Sequence, residues 1–263
     1  MTLDVTIGLL TWKSRELLRQ CLDSLEEGLD GLPAEIWVVD NASGDGTLEM
    51  LRQAYPHVRV IENPVNRGVS PSRNQILHKA EGRYLIYLDV DTQVLAGSLR
   101  TLVQVMDEHP DAAIGGPKLL YGDRSLQLSC RPFPSPLNIV LEGTFLRDYF
   151  PKSRFVKAYT MEEWDHAVLR EVDWMYGACL ILRRSILDRL GPFDEGFFYL
   201  YEDVDLCFRA KRLGMKVLYI PQAEVIHFLE RERKTLFHRR IRDHIKSIIR
   251  YLAKDYSRHL LRL

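Results

Sequence analysis

The sequence predicts an α/β fold: a doubly wound, mostly parallel sheet with helices on both faces, followed by a basic amphipathic helix. Short apolar runs alternate with segments of helical periodicity through the first half of the chain, which is typical of repeated β-α-β units. Each apolar run ends in a cluster of small or polar residues, and ligands bind outside the carboxyl ends of the strands in such sheets. The 263 residues, 46% of them hydrophobic, suffice for one such core.

Four strands and three helices are predicted in the first half of the chain. The strands cover residues 5–10, 36–39, 58–61 and 84–88. Ser14 is the predicted N-cap of the first helix, whose apolar face continues to Leu25. The second helix starts at Thr47. The third starts at Ser70-Pro71, a cap and first-turn pair, and ends at Gly82.

The second half of the chain has a less regular pattern. Residues 121–172 show few periodic runs and receive no assignment. Residues 178–182 and 216–220 are predicted strands, and a helix covers about 202–213. The last helix is predicted from apolar residues that recur at helical spacing among basic ones; they are Ile241, Ile245, Ile248, Ile249, Leu252 and Tyr256.

The distribution of charge separates this last helix from the rest of the chain. The 36 basic and 36 acidic residues balance, which argues against a nucleic-acid-binding protein. Residues 230–263, however, contain eleven Lys or Arg against four Asp or Glu. A basic amphipathic helix is typical of contact with an anionic membrane surface. Packing on the body of the protein, or at a homodimer interface, explains the same pattern, and these interpretations stay open.

Neither the cysteines nor the N-terminus indicates export. The four cysteines lie far apart without a C-x-x-C pair, so neither a zinc site nor a disulfide framework is expected. Asp4 stands where a signal peptide has Lys or Arg, and no apolar stretch approaches the ~20 residues that span a bilayer. We therefore expect a cytoplasmic protein, peripheral on the inner face of the membrane if the tail binds lipid.

Asp89-Val90-Asp91 directly follows the fourth predicted strand. In an extended chain the two carboxylates are one period apart and face the same side. A hard divalent cation that bridges a diphosphate takes one or two carboxylates, together with phosphate oxygens and water. The triplet therefore predicts a site for Mn²⁺ or Mg²⁺, although an acidic turn has the same residues. His227 is either a third ligand or a core histidine with its hydrogen bonds satisfied.

Polar residues near other strand ends are candidates for a nucleotide site. Asp40 and Asn41 follow the second strand, where a ribose or base would be hydrogen-bonded. Asn66, Gly68 and Arg73 precede the fourth strand; Asn and Arg supply donors, and glycine lets the backbone approach a ligand closely. Asn, Asp and Gly are also the usual residues of turns, so each position alone has a structural explanation.

A second acidic cluster, Glu202-Asp203-Val204-Asp205, begins the helix predicted at residue 202. Carboxylates at a helix N-terminus are stabilised by the helix dipole, so capping alone explains the cluster. The functional interpretation is a general base that takes a proton from an attacking hydroxyl. Tyr201 is either core or a platform for a sugar. Trp174, near Gly177, is either core or part of the acceptor wall.

Together these motifs resemble the family 2 glycosyltransferases, inverting enzymes of the GT-A fold. The resemblance covers about residues 5–227 and follows the family's order. It is carried by residues 38–43 (VVDNAS), 66–68 (NRG) with 73–74 (RN), 89–91 (DVD), 177–179 (GAC) and 193–207, which run from FDE to EDVDLC. The last block is most similar to bacterial rhamnosyltransferase-type members, which build surface polysaccharides.

The resemblance implies a role for each motif. Asp203, beside Glu202, would be the catalytic base, and Asp91 the principal metal ligand, assisted by Asp89 and His227. Nucleotide-sugar contacts are implied at Thr11, Asp40, Asn41, Asn66, Gly68, Arg73 and Asp89, and acceptor contacts at Trp174, Gly177 and Tyr201. Two segments depart from the family pattern. Thr11-Trp12-Lys13 replaces the frequent Thr-Tyr-Asn, and residues 228–231 replace the Gly and Ser that often follow the histidine.

The implied reaction is transfer of a sugar, with inversion, from a UDP- or dTDP-sugar such as dTDP-rhamnose to a hydroxyl of a saccharide or lipid-linked acceptor. Residues 1–229 would form the GT-A domain, with 1–120 as the nucleotide-sugar-binding half and 121–229 as the acceptor-binding half. Residues 230–263 would form a basic helical tail. The alternatives are a non-catalytic nucleotide-sugar-binding module and a sugar nucleotidylyltransferase, although no Gly-rich loop for a triphosphate appears near the N-terminus.

Overall fold

The computed structural model describes residues 3–136, 138–139, 153–228 and 237–254, and for residues 237–241 it describes the backbone alone. The strands are β1 (Val5–Thr11), β2 (Ala34–Asp40), β3 (Arg59–Glu62), β4 (Tyr84–Asp89), β5 (Thr92–Val94), β6 (Ala112–Leu120), β7 (Cys130–Arg131), β8 (Arg170–Glu171), β9 (Trp174–Met175), β10 (Cys179–Arg183) and β11 (Lys216–His227). The helices are α1 (Arg15–Asp23), α2 (Leu25–Leu29), α3 (Thr47–Ala54), α4 (Val69–Leu77), α5 (Ser98–Glu108), α6 (Arg154–Thr160), α7 (Leu187–Leu190), α8 (Glu202–Arg212) and α9 (Phe237–Ala253).

Nine of the described strands form one sheet. Its order is β3-β2-β1-β4-β10-β6-β11-β5, and β8 pairs with β11 beside this path. Strands β1 to β4 are parallel, because helices return the chain to the same edge between them. β10 runs antiparallel between β4 and β6. The ends of β1, β2 and β4 therefore lie together, and Thr11, Asp40 and Asp89 are neighbours at one edge of the sheet.

Apolar side chains cover both faces of the sheet. Along β4, Leu85 and Tyr87 belong to the core that α4 and α8 cover, whereas Ile86 and Leu88 belong to the core that α1, α3 and α5 cover. This alternation of two apolar sets is expected for a strand buried on both sides. The four cysteines are buried free thiols. The predicted doubly wound α/β fold is confirmed.

Strand β11 is longer than the prediction for residues 216–220. An irregularity between Ile220 and Glu224 lets it continue to pair with β6. Its last residues pair with β5, where His227 is opposite Thr92. This pairing brings a histidine from the far end of the sequence next to the turn after β4.

The predicted bounds of α4 are wrong at both ends. The helix begins at Val69, and Gly68, with φ of +86°, occupies the cap position that was predicted for Ser70. Glycine adopts this positive φ without strain, so the chain turns into the helix two residues earlier. The helix ends at Leu77, before Gly82.

The first helix also differs from its prediction. Ser14 precedes α1 but does not cap it with its side chain, because its hydroxyl donates to the backbone O of Trp12. The helix ends before Ser24, whose hydroxyl donates to the backbone O of Cys21. Leu25 therefore belongs to the separate helix α2.

Helix α9 packs on the body of the protein through a partly polar face. Tyr251 is fully buried, and its hydroxyl donates to the backbone O of Pro134 at 3.3 Å. Ser247 Oγ donates to the backbone O of Tyr199 at 2.9 Å. Arg250 forms an ion pair with Asp194 at 2.5 Å. The packing of this helix on the body, one of the interpretations left open, is thus observed.

The residues predicted to form the apolar face of the last helix are mostly not the ones that pack. Ile245, Ile249 and Leu252 are exposed, whereas Ile248 is partly buried against the core. Two further residues of the predicted face are not compared, because the side chain of Ile241 and the whole of Tyr256 lie outside what the structure describes. Among the helices that the structure describes, none is long and apolar enough to cross a membrane.

Candidate active site

Asp89, Asp91 and His227 form a cluster of the kind that holds a divalent cation. β4 ends at Asp89, the following turn carries Asp91, and the pairing of β11 with β5 brings His227 alongside. One ligand atom from each residue lies within 4.8 Å of the others. His227 Nε2 is 3.5 Å from Asp91 Oδ1. Carboxylate oxygens suit Mg²⁺ or Mn²⁺, and the imidazole nitrogen favours Mn²⁺ of the two.

Gln127 orients the ring of His227. The amide nitrogen of Gln127 donates to the backbone O of His227 at 3.3 Å, so its Oε1 faces the ring and accepts from Nδ1 at 2.7 Å. A proton on Nδ1 leaves the lone pair of Nε2 for a cation. Burial lowers the pKa of His227, but the hydrogen bond with Asp91 and the charges of Asp89 and Asp91 raise it overall. The ring therefore lies in a field that attracts positive charge.

A buried arginine, Arg73, connects this cluster to the acidic start of α8. Its guanidinium is 3.3 Å from Asp89 Oδ1, 3.3 Å from Glu202 Oε1, and 2.9 Å from the backbone O of Gly177, to which it donates. The side chain is 4% exposed and lies against two aromatic rings. A planar guanidinium satisfies several acceptors in different directions, which an ammonium group does not do in the same way. These contacts favour a positioning role for Arg73.

Asp203 lies in the first turn of α8 and is half-buried. Its Oδ2 accepts from Gly177 N at 2.9 Å, and its Oδ1 accepts from Val204 N at 2.8 Å. Burial raises the pKa of Asp203 above its usual range, and the two backbone N–H groups and Arg73 oppose that rise. Gly177 therefore contacts Arg73 through its carbonyl group and Asp203 through its N–H group.

Glu202, the preceding residue, is almost fully buried. Burial and the charge of Asp203 raise the pKa of Glu202 to about 7, against the opposing effect of Arg73. Its Oε1 contacts Arg73, and its Oε2 is buried without a hydrogen-bond partner among the described residues. Of the two carboxyl groups, Asp203 has the hydrogen bonds that stabilise the ionised form and the greater exposure.

Thr11 and Asp40 lie side by side at the ends of β1 and β2. Both are buried. Asp40 Oδ2 accepts from Ser43 N at 3.2 Å. The other oxygen, Oδ1, and the hydroxyl of Thr11 are buried and have no hydrogen-bond partner in the described part of the chain. Buried polar atoms without partners are rare, and an ordered water or a ligand is a usual partner for them.

Asn41, Asn66 and Gly68 shape the loop beside these residues. Asn41 Oδ1 accepts from two neighbouring side chains at 2.9 and 3.0 Å. Asn66 Oδ1 accepts from Gly68 N at 2.9 Å. A Cβ atom on Gly68 would lie 2.6 Å from the ring of Phe198, so only glycine allows this loop to touch the segment before α8. The side chains of Asn41 and Asn66 therefore hold the loop in shape.

The residues expected on the acceptor side have different surroundings. Trp174 lies in β9, is 8% exposed and donates from Nε1 to the backbone O of Pro132 at 2.8 Å. Tyr201 is half-buried, with φ of +71°, and its ring packs against His244 and Tyr251 of α9. Trp174 is thus part of the hydrophobic core, and Tyr201, which immediately precedes Glu202, contacts α9.

A family model described as "Glycosyl transferase family 2" matches residues 6–191, more than half of the chain. The chain belongs to glycosyltransferase family 2. A second model, "Glycosyl transferase family group 2", matches residues 137–254, which include Asp203 and His227. The family membership predicted from the sequence motifs is therefore confirmed.

Two curated relatives of this family-2 chain are rhamnosyltransferases. The N-acetylglucosaminyl-diphospho-decaprenol L-rhamnosyltransferase of Mycobacterium tuberculosis is 31% identical over 206 residues, which cover 74% of this chain and 66% of the relative. Rhamnosyltransferase WbbL of Escherichia coli K12 is 37% identical over 83 residues, 32% of this chain and 31% of the relative. The chain thus spans slightly less than two thirds of the first relative's length and about a third of the second's.

Solved structures of glycosyltransferases share the fold. The mannosyltransferase PcManGT from Pyrobaculum calidifontis, in complex with GDP-Man and Mn²⁺, matches 95% of this chain and 64% of its own with a TM-score of 0.61 at 20% identity. GalNAc-T7 with UDP, GalNAc and Mn²⁺ matches 86% of this chain and 44% of its own with a TM-score of 0.61 at 16% identity. At these identities the likeness shows the fold, and the predicted GT-A fold is confirmed.

Sequence reasoning missed two residues that support the site. Gln127 lies in the stretch that received no assignment, and its contact with His227 depends on the end of β11. Tyr87 belongs to the apolar run of β4, but its hydroxyl donates to the backbone O of Arg73 at 2.6 Å. The alternation of side chains along β4 places Tyr87 on the same face of the sheet as Leu85. Nothing in the sequence shows that α4 packs on that face.

Proposed function

We propose that this chain transfers a sugar from a nucleoside diphosphate sugar to a hydroxyl group of a saccharide or lipid-linked acceptor, with inversion at the anomeric carbon. Mn²⁺ or Mg²⁺ is the proposed cofactor. The observation that carries the proposal is the series of contacts from Asp89 through Arg73 and Gly177 to Asp203. It joins a candidate cation site to a candidate base at one edge of the sheet. A single displacement needs the cation, which stabilises the leaving diphosphate, and the base, which activates the acceptor, close to the same donor sugar.

The donor would be bound at the ends of β1 and β2. Thr11 Oγ1 and Asp40 Oδ1 are buried there without hydrogen-bond partners among the described residues, and a base or ribose would supply those hydrogen bonds. The loop of Asn66 and Gly68 closes the same side. Because two relatives are named rhamnosyltransferases, we propose dTDP-rhamnose as the first donor to examine, followed by UDP-sugars.

Asp89, Asp91 and His227 would hold the cation. Their geometry fits, since His227 presents Nε2 toward Asp91 and its pKa is raised by the same negative charge that would attract a metal ion. A bound cation would neutralise negative charge on the departing diphosphate.

Asp203 would act as the general base. Its carboxylate takes the proton of the acceptor hydroxyl while that oxygen attacks the anomeric carbon on the face opposite the nucleotide. The bond from the anomeric carbon to the phosphate oxygen breaks, and its electron pair leaves with the nucleotide, which inverts the anomeric centre. The N–H groups of Gly177 and Val204 orient the carboxylate for this step.

The proposed acceptor is based on the mycobacterial relative, whose name contains a sugar linked through diphosphate to decaprenol. A lipid-linked saccharide is therefore the proposed acceptor class, with Gly177 and Tyr201 on its side of the site. The proposed location is the cytoplasm, at the inner face of the membrane if the tail binds lipid. In the same proposal residues 1–229 form the catalytic unit and residues 230–263 the helical tail.

The proposal is tested in two steps. A thermal-shift panel of dTDP-, UDP- and GDP-sugars with Mn²⁺ identifies the donor that stabilises the protein. Release of nucleoside diphosphate is then measured with and without N-acetylglucosaminyl-diphospho-decaprenol. We expect Asp203→Asn to keep the donor-induced shift and to lower turnover at least about 100-fold, the contribution of a general base. Asp188→Asn, at an exposed position, is the control.

The alternatives predict different results. A non-catalytic binding module would show the donor-induced shift without acceptor-dependent release of nucleoside diphosphate. A nucleotidylyltransferase would release pyrophosphate from a nucleoside triphosphate and a sugar phosphate. Turnover of Asp203→Asn equal to that of Asp188→Asn would remove Asp203 from the role of base.

A further inference from the structure

The outward face of α9 carries apolar and basic side chains next to each other. Ile245, Ile249 and Leu252 are 50%, 61% and 36% exposed. Residues separated by four and three positions lie on one stripe of a helix. Arg242 and Lys246 border this stripe, with side chains 65% and 66% exposed. We call these five residues the outer face of α9.

The outer face is not the surface by which α9 packs. Among the side chains of α9 that the structure describes, the buried ones are Asp243, Ser247 and Tyr251, which lie on the opposite side. Contacts with Tyr199 and Asp194 hold that side against the body. Within the described residues the apolar stripe therefore stays exposed while the helix is docked, and none of the body contacts of α9 given above covers it.

We propose that the outer face of α9 docks on the surface of an anionic lipid bilayer. An apolar stripe bordered by basic side chains fits the boundary between acyl chains and anionic headgroups. Residues 230–263 contain eleven basic and four acidic residues, and the rest of the chain is therefore net acidic. The outer face contributes two of these basic side chains, and both lie within 4.0 Å of Asp243 Oδ1. Their positive charge, together with that of the rest of the tail, favours contact with a negative surface.

Docking of this face would place α9 between the bilayer and the start of α8, which would then be about one helix diameter, ~10 Å, from the lipid surface. Ser247 contacts Tyr199, and the rings of His244 and Tyr251 contact Tyr201. Tyr201 immediately precedes the Glu202-Asp203 pair. A lipid-linked acceptor would then reach Asp203 from the membrane side; this consequence rests on the proposed function, whereas the docking itself does not.

The test is flotation of the full chain with vesicles of phosphatidylcholine, with and without phosphatidylglycerol, in the absence of donor and acceptor. We expect binding to the vesicles that contain phosphatidylglycerol. Ile245→Ser with Ile249→Ser should weaken it about tenfold or more through loss of apolar burial. Arg242→Gln with Lys246→Gln should weaken it about 30-fold, since each basic side chain near an anionic surface contributes about fivefold.

The matched control is Val65→Ser with Val168→Ser, because these valines are 62% and 60% exposed and lie outside α9. We expect this control to float like the parent. Failure of the parent to float, or equal flotation of the isoleucine and valine variants, would overturn the proposal. The proposal would also be overturned if the parent sedimented as a dimer, the isoleucine variant sedimented as a monomer, and neither bound vesicles. If the isoleucine variant melts at a lower temperature than the parent, its loss of binding could reflect unfolding. The comparison then uses the Arg242→Gln, Lys246→Gln variant, and flotation of that variant equal to the parent's would overturn the proposal.

Discussion

Arg73 is the side chain on which the connection between the two acidic clusters depends. Its one guanidinium contacts Asp89, Glu202 and the carbonyl group of Gly177. Through Gly177 it also influences Asp203, whose Oδ2 accepts from the N–H of the same residue. The shape of the guanidinium therefore matters as much as its charge.

We expect Arg73→Lys to lower kcat about 100-fold and to leave the KM for the donor nearly unchanged. Lysine keeps the positive charge but does not hold three acceptors in the same geometry, and a displaced base costs about this much. Steady-state kinetics with the donor identified by thermal shift measure the effect. Arg189→Lys, at an exposed position of α7, is the control. An increase in KM alone would instead indicate that Arg73 binds the nucleotide.

Glu202→Gln is expected to change how stability depends on pH. The pKa of Glu202 is raised from 4.5 to about 7 in the folded protein. The folded state therefore binds this proton more tightly, and the resulting stability is present below about pH 4.5 and lost as the pH rises through about 7. Glutamine stays neutral. In melts of the metal-free protein the variant should lose less stability than the parent between about pH 5 and pH 8; parallel curves would contradict the raised pKa.

At the scale of elements, α9 shows the difference between an apolar pattern and a packing surface. The sequence pattern predicted the helix, but the buried side includes Asp243 and Ser247. These polar residues are buried because the body offers partners, such as the backbone O of Tyr199 for Ser247. Periodicity alone does not show which partners a helix will meet. The bounds of α4 were missed for a related reason, since Gly68 turns the chain where Phe198 leaves no room for a side chain.

Adjacent residues of α9 provide a direct comparison of its two sides. We expect Tyr251→Ala to lower the free energy of unfolding by about 3–5 kcal/mol, as for other large buried side chains. Leu252→Ala, at the next position on the exposed side, should change it by no more than about 0.5 kcal/mol. Denaturation in urea measures both. Similar losses for the two variants would mean that the helix does not pack by the face described.

At the scale of the molecule, the sheet assembles the site from distant segments. The sequence predicted the strands of the first half and the polar residues at their ends, because repeated β-α-β units place those ends at one edge. It did not predict that β10 lies antiparallel between β4 and β6, or that β11 pairs with β5. These pairings join segments far apart in sequence, and local patterns do not specify them. His227 and Gln127 reach each other only through them.

A cation held jointly by Asp89, Asp91 and His227 is the feature on which the proposed transfer depends most directly. Binding of Mn²⁺ to the full chain, in the presence of dTDP and then of UDP, is measured by the loss of the electron paramagnetic resonance signal of free Mn²⁺. We predict saturable binding of one ion by the parent and by Asp188→Asn. Binding should be at least about tenfold weaker in Asp91→Asn, which removes a carboxylate ligand. Equal affinity of Asp91→Asn and the parent would contradict the cation site.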